Sequence, residues 1–216
     1  RIKVPRNTDI INNDLIKGKV VISSEAIEDF VIVRADKTPV YMLSVVCDDI
    51  YMKISHVLRG DDHLTNTPKQ ILIYNGLGIK PPLFGHIPLI HGADGAKLSK
   101  RHGALGIEEY KNMGYLPEAL RSYLVNLGWG EGETKILTDS EMIKAFDVSK
   151  ISHSPARFDF EKLNNINHHF ISGLSEDYNT ESLLIISSFK AMEGIKTAVE
   201  KIRCRFKTLA EVAESF

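Results

Sequence analysis

The spacing of apolar and polar positions changes character partway along the chain. Residues 18–34 alternate short β-rich runs with polar breaks. Val20-Val21-Ile22 and Phe30-Val31-Ile32-Val33 predict strands, with Asp36-Lys37 as a turn. The apolar run from Tyr41 to Cys47 fits strand or helix, and periodicity alone does not decide. His56-Val57-Leu58-Arg59 predicts a short buried strand that stops at Gly60. A helix follows: Thr67 can cap it, Pro68 suits its first position, Ile71, Leu72 and Tyr74 give it an apolar side, and Asn75-Gly76 ends it. His86 to Ile90 predicts a further strand, and the loop His91-Gly92-Ala93-Asp94-Gly95 comes after it. Strand, helix, strand and loop within 56–96 is the order of a β-α-β unit.

From about residue 107 the period becomes helical. Leu116, Leu120, Tyr123, Leu124 and Leu127 fall on one helical face, opened by Pro117 and closed by Gly128. Thr138 and Glu141 form a capping box ahead of Met142, Ile143 and Phe146. Asp159 can cap a helix that carries Leu163, Ile166 and Phe170. Ile195, Val199, Ile202, Phe206 and Leu209 step by four and three, which predicts one amphipathic helix in need of a packing partner. The expected fold is α/β in the first half and all-α in the second. Boundaries are expected near 101–108 and near Ser152 to Pro155.

Composition narrows the class. The chain has 216 residues, 43% hydrophobic and 25% charged, which is ordinary for a globular protein and excludes a disordered one. No stretch reaches the roughly 18 apolar residues of a membrane span, and the N-terminus lacks the apolar segment of a signal peptide. It also lacks an initiator Met, so the chain is expected to begin partway through a longer protein. Cys47 and Cys204 lie far apart and form no metal pattern, which suits two unpaired thiols in a reducing cytosol. The net charge of −1 neither announces a nucleic-acid binder nor excludes one, because a local basic patch suffices.

Two clusters could carry chemistry. Lys97-Leu98-Ser99-Lys100-Arg101-His102 is the densest basic run and follows a Gly-containing loop. Its lysines could neutralise charge on departing phosphate oxygens, with Ser99 as a hydrogen-bond donor. Taken alone, such a run is more often a solvated turn. Arg59-Gly60-Asp61-Asp62-His63 sits at the end of a predicted strand, where α/β folds place ligands, and an Arg there can hold a carboxylate with two bonds. Three adjacent residues rarely converge on one metal ion, so turn and capping roles compete with ligation. If residues 41–52 are helical, Asp48 and Asp49 point about 100° apart, so one is expected exposed and one tied to a basic neighbour. His168-His169 has no third ligand at metal spacing and reads as surface or packing. P-loop, Gly-x-Gly-x-x-Gly and Gly-x-Ser-x-Gly patterns are absent.

Lys97-Leu98-Ser99-Lys100-Arg101 resembles the KMSKS signature of class I aminoacyl-tRNA synthetases. The stretch from His56 to Gln70 resembles the preceding block of bacterial glutamyl-tRNA synthetases. Tyr41 with Asp48-Asp49, the run Gly114-Tyr115-Leu116-Pro117-Glu118-Ala119-Leu120, and Asn126-Leu127-Gly128-Trp129 are similar to that family as well. Five ordered blocks make the likeness specific, and it runs strongly over residues 1–170.

The resemblance implies formation of glutamyl-adenylate from L-glutamate and ATP, then transfer to tRNA(Glu). By position it makes Lys100 the second KMSKS lysine on the ATP phosphates, with Lys97 and Ser99 supporting the loop. Tyr41, Arg59 and His63 match substrate-binding positions. His86, Pro88 and Leu89 lie on the strand expected beside the adenine, read through backbone groups, and Asp62 lies at the site's mouth. Mg2+ is expected with ATP, without a zinc site or other metal site in this chain. The implied fold is the second half of a Rossmann-like catalytic domain, followed by all-α stem-contact and helical-bundle regions. The implied division is 1–40, the end of an inserted acceptor-stem domain; 41–106, the catalytic half; 107–155, the stem-contact region; and 156–216, the start of the anticodon-binding domain. A cytoplasmic monomer with no membrane contact is expected.

The other class I signature, His-x-Gly-His, is absent, and Val45 and Ile50 stand where some family members carry Asn and His. A chain with half of the nucleotide site is expected to be inactive alone. Three alternatives compete with this reading. A paralogue that glutamylates a tRNA base usually carries a Cys-rich zinc site and ends soon after KMSKS. Glutaminyl-tRNA synthetases continue into β-barrels, unlike the helical periods after 107. A non-catalytic RNA-binding or interaction module is the third.

Overall fold

The structure, a computed structural model, describes residues 1–92, 94–98, 105–130, 135–173 and 206–214. It divides into two compact units, Arg1–Leu89 with Ile151–Ser154, and Ile90–Lys150 with Pro155–Phe216.

The first unit opens with a hairpin. β1 (Asp9–Asp14) pairs antiparallel with β2 (Gly18–Ser23), Asp9 opposite Ser23 and Asp14 opposite Gly18. Gly18 has φ +75°, the left-handed conformation that closes this loop and that glycine adopts without strain. The Asp14 carboxylate accepts the N–H groups of Ile16 and Lys17 and so completes the turn. The expected strand over Phe30–Val33 does not form. Phe30 and Val33 make only isolated bridges, to Ile2 and Pro39, and Pro39 has no N–H with which to extend a ladder. The ambiguous run becomes helix α1 (Tyr41–Tyr51), with Val46 fully buried.

β3 (His56–Gly60) and β4 (Leu83–Ile87) run parallel, with Arg59 opposite His86 and Gly60 opposite Ile87. The crossover is α2 (Thr67–Gly76), so the β-α-β unit expected from the sequence is present. β4 begins and ends three residues earlier than expected. Pro88 has no N–H to donate and the ladder stops before it. Thr67 also departs from expectation. The cap position is Asn66, which makes no side-chain cap bond, and the Thr67 hydroxyl is used elsewhere. α2 buries Ile71, Leu72, Ile73 and Tyr74 in succession, because it is covered on more than one side. With Val4, Ile10, Ile27, Val46 and Phe84 they form the core of this unit.

The second unit is helical after a tight hairpin at 90–98, where Leu98 N–H bonds Ile90 O and Gly92 N–H bonds Ala96 O, both at 2.9 Å. Then come α3 (Ile107–Asn112), α4 (Pro117–Gly128), α5 (Asp139–Ala145), α6 (Phe160–Gly173) and α7 (Leu209–Glu214). Both expected caps are present: Thr138 and Glu141 form a capping box, and Asp159 accepts the N–H groups of Glu161 and Lys162. Tyr110, Leu116, Ala119, Leu120, Tyr123, Leu163, Ile166 and Leu209 share one core. The single helix expected to run through to Leu209 is contradicted at 206–208, which are not helical. There the backbone is held from α6, with Asn167 Nδ2 donating to Lys207 O at 2.7 Å and His168 Nδ1 2.8 Å from Phe206 O. The rest of that expected helix, residues 195–205, lies outside the described residues, as does Cys204. Cys47 is free and exposed. No helix among the described residues is long and apolar enough to cross a membrane.

Candidate functional site

The parallel pairing of β3 with β4 sets Arg59 beside His86, and the first turn of α2 comes over both. Arg59 Nε donates to His86 Nε2 at 3.2 Å. Its Nη2 donates to Thr67 Oγ1 and to Gln70 Oε1, each at 2.8 Å. The guanidinium carbon stands 5.3 Å from the centre of the Phe84 ring, within cation–π range. These bonds use Nε and both hydrogens of Nη2, and Nη1 takes part in none of them. Tyr41, at the start of α1, lies near enough to Arg59 to act on its charge.

Arg59 is half-buried, and desolvation pulls its guanidinium below its ordinary value, although Tyr41, Asp49 and Asp14 act in the opposite sense. None of the described carboxylates lies within ion-pair distance of it. The Nε2 atom of Gln70 is buried and has no partner among the described residues. A cation held by neutral groups, with one amino group outside those bonds, is suited to an anionic partner.

Behind Arg59 the polar chain continues inward. Thr67 Oγ1 lies 2.9 Å from His86 Nε2, and His86 Nδ1 lies 2.5 Å from Asp14 Oδ2, with the Asp14 and His86 side chains both fully buried. Burial opposes charge on Asp14. The Lys17 N–H, the His86 ring and the N–H groups of Ile16 and His86 outweigh it and hold the carboxylate below its ordinary value.

The three residues after Gly60 diverge. Asp61 pairs with Lys17 at 3.0 Å. Asp62 folds back over Gly60, where an added Cβ would sit 2.6 Å from its Oδ1. His63 Nδ1 is 3.1 Å from Asn66 Nδ2, and its ring centre is 6.5 Å from that of Tyr41. Among the described residues no group of three His, Cys, Asp or Glu is gathered to hold a metal. Asp48 is exposed as expected. Asp49 makes no direct ion pair among the described residues: it accepts the Tyr74 hydroxyl at 3.4 Å, and desolvation raises its carboxyl against the pull of Tyr74 and the Arg59 charge. His168 is taken up by the Phe206 carbonyl, and His169 is exposed, lying edge-on to Phe170.

Arg59, Tyr41, His63 and His86 are therefore brought together, with Pro88 and Leu89 just beyond β4. Lys97 belongs to the second unit, exposed at the end of the 90–98 hairpin and bridged to His91. Ser99, Lys100, Arg101 and His102 lie outside the described residues. Asp14, Thr67, Gln70 and Phe84 were not singled out for this site from the sequence. Thr67 and Gln70 stand three apart on one helix face, a spacing that could have marked them as joint partners of one group.

The model of the class I tRNA synthetases (E and Q), catalytic domain, matches residues 1–165. The glutamate–tRNA ligase 1 of Beijerinckia indica is 54% identical over 227 residues, covering 99% of this chain and 48% of the relative. The glutamate–tRNA ligase 2 of Paramagnetospirillum magneticum is 46% identical over 223 residues, covering 100% and 47%. A crystal structure of a glutamate tRNA ligase from Elizabethkingia meningosepticum in complex with its amino acid superposes with a TM-score of 0.87 at 28% identity, over 99% of this chain and 47% of that one. The chain spans about half the length of these relatives. With most of its length matched, the chain belongs to the class I tRNA synthetases of the glutamyl and glutaminyl group, residues 1–165 matching their catalytic domain.

Proposed function

We propose that the chain is part of a glutamate–tRNA ligase in which Arg59 takes a carboxylate of L-glutamate. In the reaction a glutamate carboxylate oxygen attacks the α-phosphorus of ATP and pyrophosphate leaves. A tRNA(Glu) hydroxyl then attacks the acyl carbon and AMP leaves. The observation that carries this is the half-buried Arg59 guanidinium, fixed by His86, Thr67 and Gln70 without a carboxylate at ion-pair distance among the described residues. Tyr41 and His63, whose ring centres are 6.5 Å apart, are assigned as further substrate contacts.

Lys97, Ser99 and Lys100 are proposed to meet the phosphates, Lys100 neutralising charge as pyrophosphate departs. Pro88, Leu89, Asp62 and the backbone at His86 are left to the nucleotide, since the His86 side chain is fully buried. Mg2+ would enter with ATP as its counter-ion. The stretches 1–40, 41–106, 107–155 and 156–216 are assigned to the end of the stem-binding insert, the catalytic half, the stem-contact region and the start of the anticodon-binding domain. We assign the reaction to a cytoplasmic monomer and expect the isolated chain to be inactive.

The test is steady-state glutamylation of tRNA by a full-length ligase carrying this chain. Arg59→Ala is expected to raise the KM for glutamate far more than that for ATP. Equal rises in both would sink the assignment.

A further inference from the structure

We infer that Asp14, acting through the His86 ring, positions the Arg59 guanidinium for its ligand. This rests on the reading of Arg59 as the group that takes glutamate, and it adds a residue from the β1–β2 hairpin to that site.

Arg59 Nε is always a donor, so the His86 Nε2 that faces it at 3.2 Å must offer a lone pair. Nε2 also faces the Thr67 hydroxyl at 2.9 Å, and that hydroxyl accepts from Arg59 Nη2. Its one hydrogen has two acceptors in reach, that lone pair at 2.9 Å and the His63 carbonyl at 3.5 Å, and the nearer is on His86. The Arg59 contact requires His86 to carry its proton on Nδ1, and the Thr67 contact is compatible with it. Asp14 supplies the reason, because its Oδ2 lies 2.5 Å from Nδ1 and a carboxylate there accepts without donating. The other carboxylate oxygen, Oδ1, accepts three backbone N–H groups, from Ile16, Lys17 and His86. Asp14 is therefore held by the hairpin turn and by β4 together. The orientation of Arg59 passes from Asp14 to the ring tautomer and from there to the guanidinium plane.

Asp14→Asn separates this role from a structural one. The amide oxygen can still accept the three backbone N–H groups, so the turn keeps those bonds and gives up only the Asn12 Nδ2 bond to Oδ2. The amide nitrogen would donate to His86 Nδ1 and move the ring proton to Nε2. Two N–H groups would then face each other at Arg59. Substitutions at 86 divide the roles in another way. His86→Gln places an acceptor near Nε2 and gives up the contact with Asp14. His86→Asn keeps a donor for Asp14 and leaves Arg59 without its acceptor. A purely structural role favours Asn at 86, and a positioning role favours Gln.

The experiment is steady-state glutamylation of tRNA by the full-length ligase, varying glutamate and ATP in turn, with each variant's urea midpoint as a check on folding. Asp14→Asn is expected to raise the glutamate KM by about tenfold, with the ATP KM changed by less than about twofold. In an Arg59→Lys background the same change should add less than about twofold, since it acts through Arg59. His86→Gln should keep a lower glutamate KM than His86→Asn. The inference is overturned if folded Asp14→Asn leaves the glutamate KM unchanged, if both KM values rise together, or if the two amides at 86 rank the other way. Should Asp14→Asn fail to fold, the ranking at 86 decides. Failure of Arg59→Ala to move the glutamate KM would instead remove the Arg59 reading, whatever position 14 does.

Discussion

The phenol oxygen of Tyr123 accepts the backbone N–H of Asp159 at 2.6 Å, tying α4 to the residue that caps α6. Tyr123 is 1% exposed, and burial pushes its phenol up to about 12. An acid whose folded value lies above its unfolded one, about 10, stabilises the fold below that pH and loses the contribution as pH rises through the folded value. Stability is expected to be flat to about pH 9.5 and to fall between about 10 and 12. Tyr123→Phe should make that fall shallower. At neutral pH it should cost about 1–3 kcal/mol by orphaning the Asp159 N–H. Urea titrations followed by circular dichroism at several pH values check both; an unchanged alkaline slope would contradict the first.

The acid side is expected to depend on Asp14. Its carboxyl is held below the ordinary value, so its contribution is complete above about pH 4 and is lost as pH falls through the depressed folded value. Asp14→Asn should flatten stability against pH below about 4, measured the same way. A slope equal to that of the parent chain would show that the Asp14 contacts do not hold the fold.

Core and cap substitutions should separate cleanly. Leu163 is fully buried in the second core, and Leu163→Ala is expected to cost about 2–5 kcal/mol. The Thr138 hydroxyl accepts the Glu141 N–H at the exposed start of α5, and Thr138→Ala should cost about 1 kcal/mol. Unfolding midpoints that rank the two in the reverse order would overturn the packing described for α6.

Lys100→Ala in the full-length ligase is expected to slow adenylate formation on the order of 100- to 1,000-fold and to leave the glutamate KM near its parental value. Rapid-quench measurement of the first turnover reads this directly. A change below about threefold would leave residues 97–101 as a solvated basic turn.

What could be read from the sequence was local. The β-α-β unit at 56–87 was legible because its strands are short apolar runs and Pro68 marks its helix. Arg59 was legible as a candidate for ligand binding because it lies near the end of a strand. β1 was missed because Asp9-Ile10-Ile11-Asn12-Asn13-Asp14 has no apolar face to display: Ile10 is 6% exposed and Ile11 is 49% exposed. The place of β4 was misjudged because Pro88 sits inside the apolar run without marking which side of it pairs. Asp14 could not be connected with His86, 72 positions later, because only the folded hairpin brings them together. The helix expected through Leu209 failed for a similar reason, since its break is imposed from α6 and not by a Gly or Pro within it.

That break bears on where the chain can be shortened. Leu209 N–H bonds Gly114 O at 3.0 Å, and an added Cβ at Gly114 would lie 2.3 Å from Ala210 N. The late segment thus lies backbone-to-backbone on the turn before α4, fastened also by Asn167 and His168. A protein trimmed ahead of Phe206 would take Leu209 out of the core it shares with Leu163 and leave the Asn167 amide without its Lys207 acceptor. Residues 206–211 are a clasp on the helical unit, and a tag or cleavage site is better tolerated beyond them than before them.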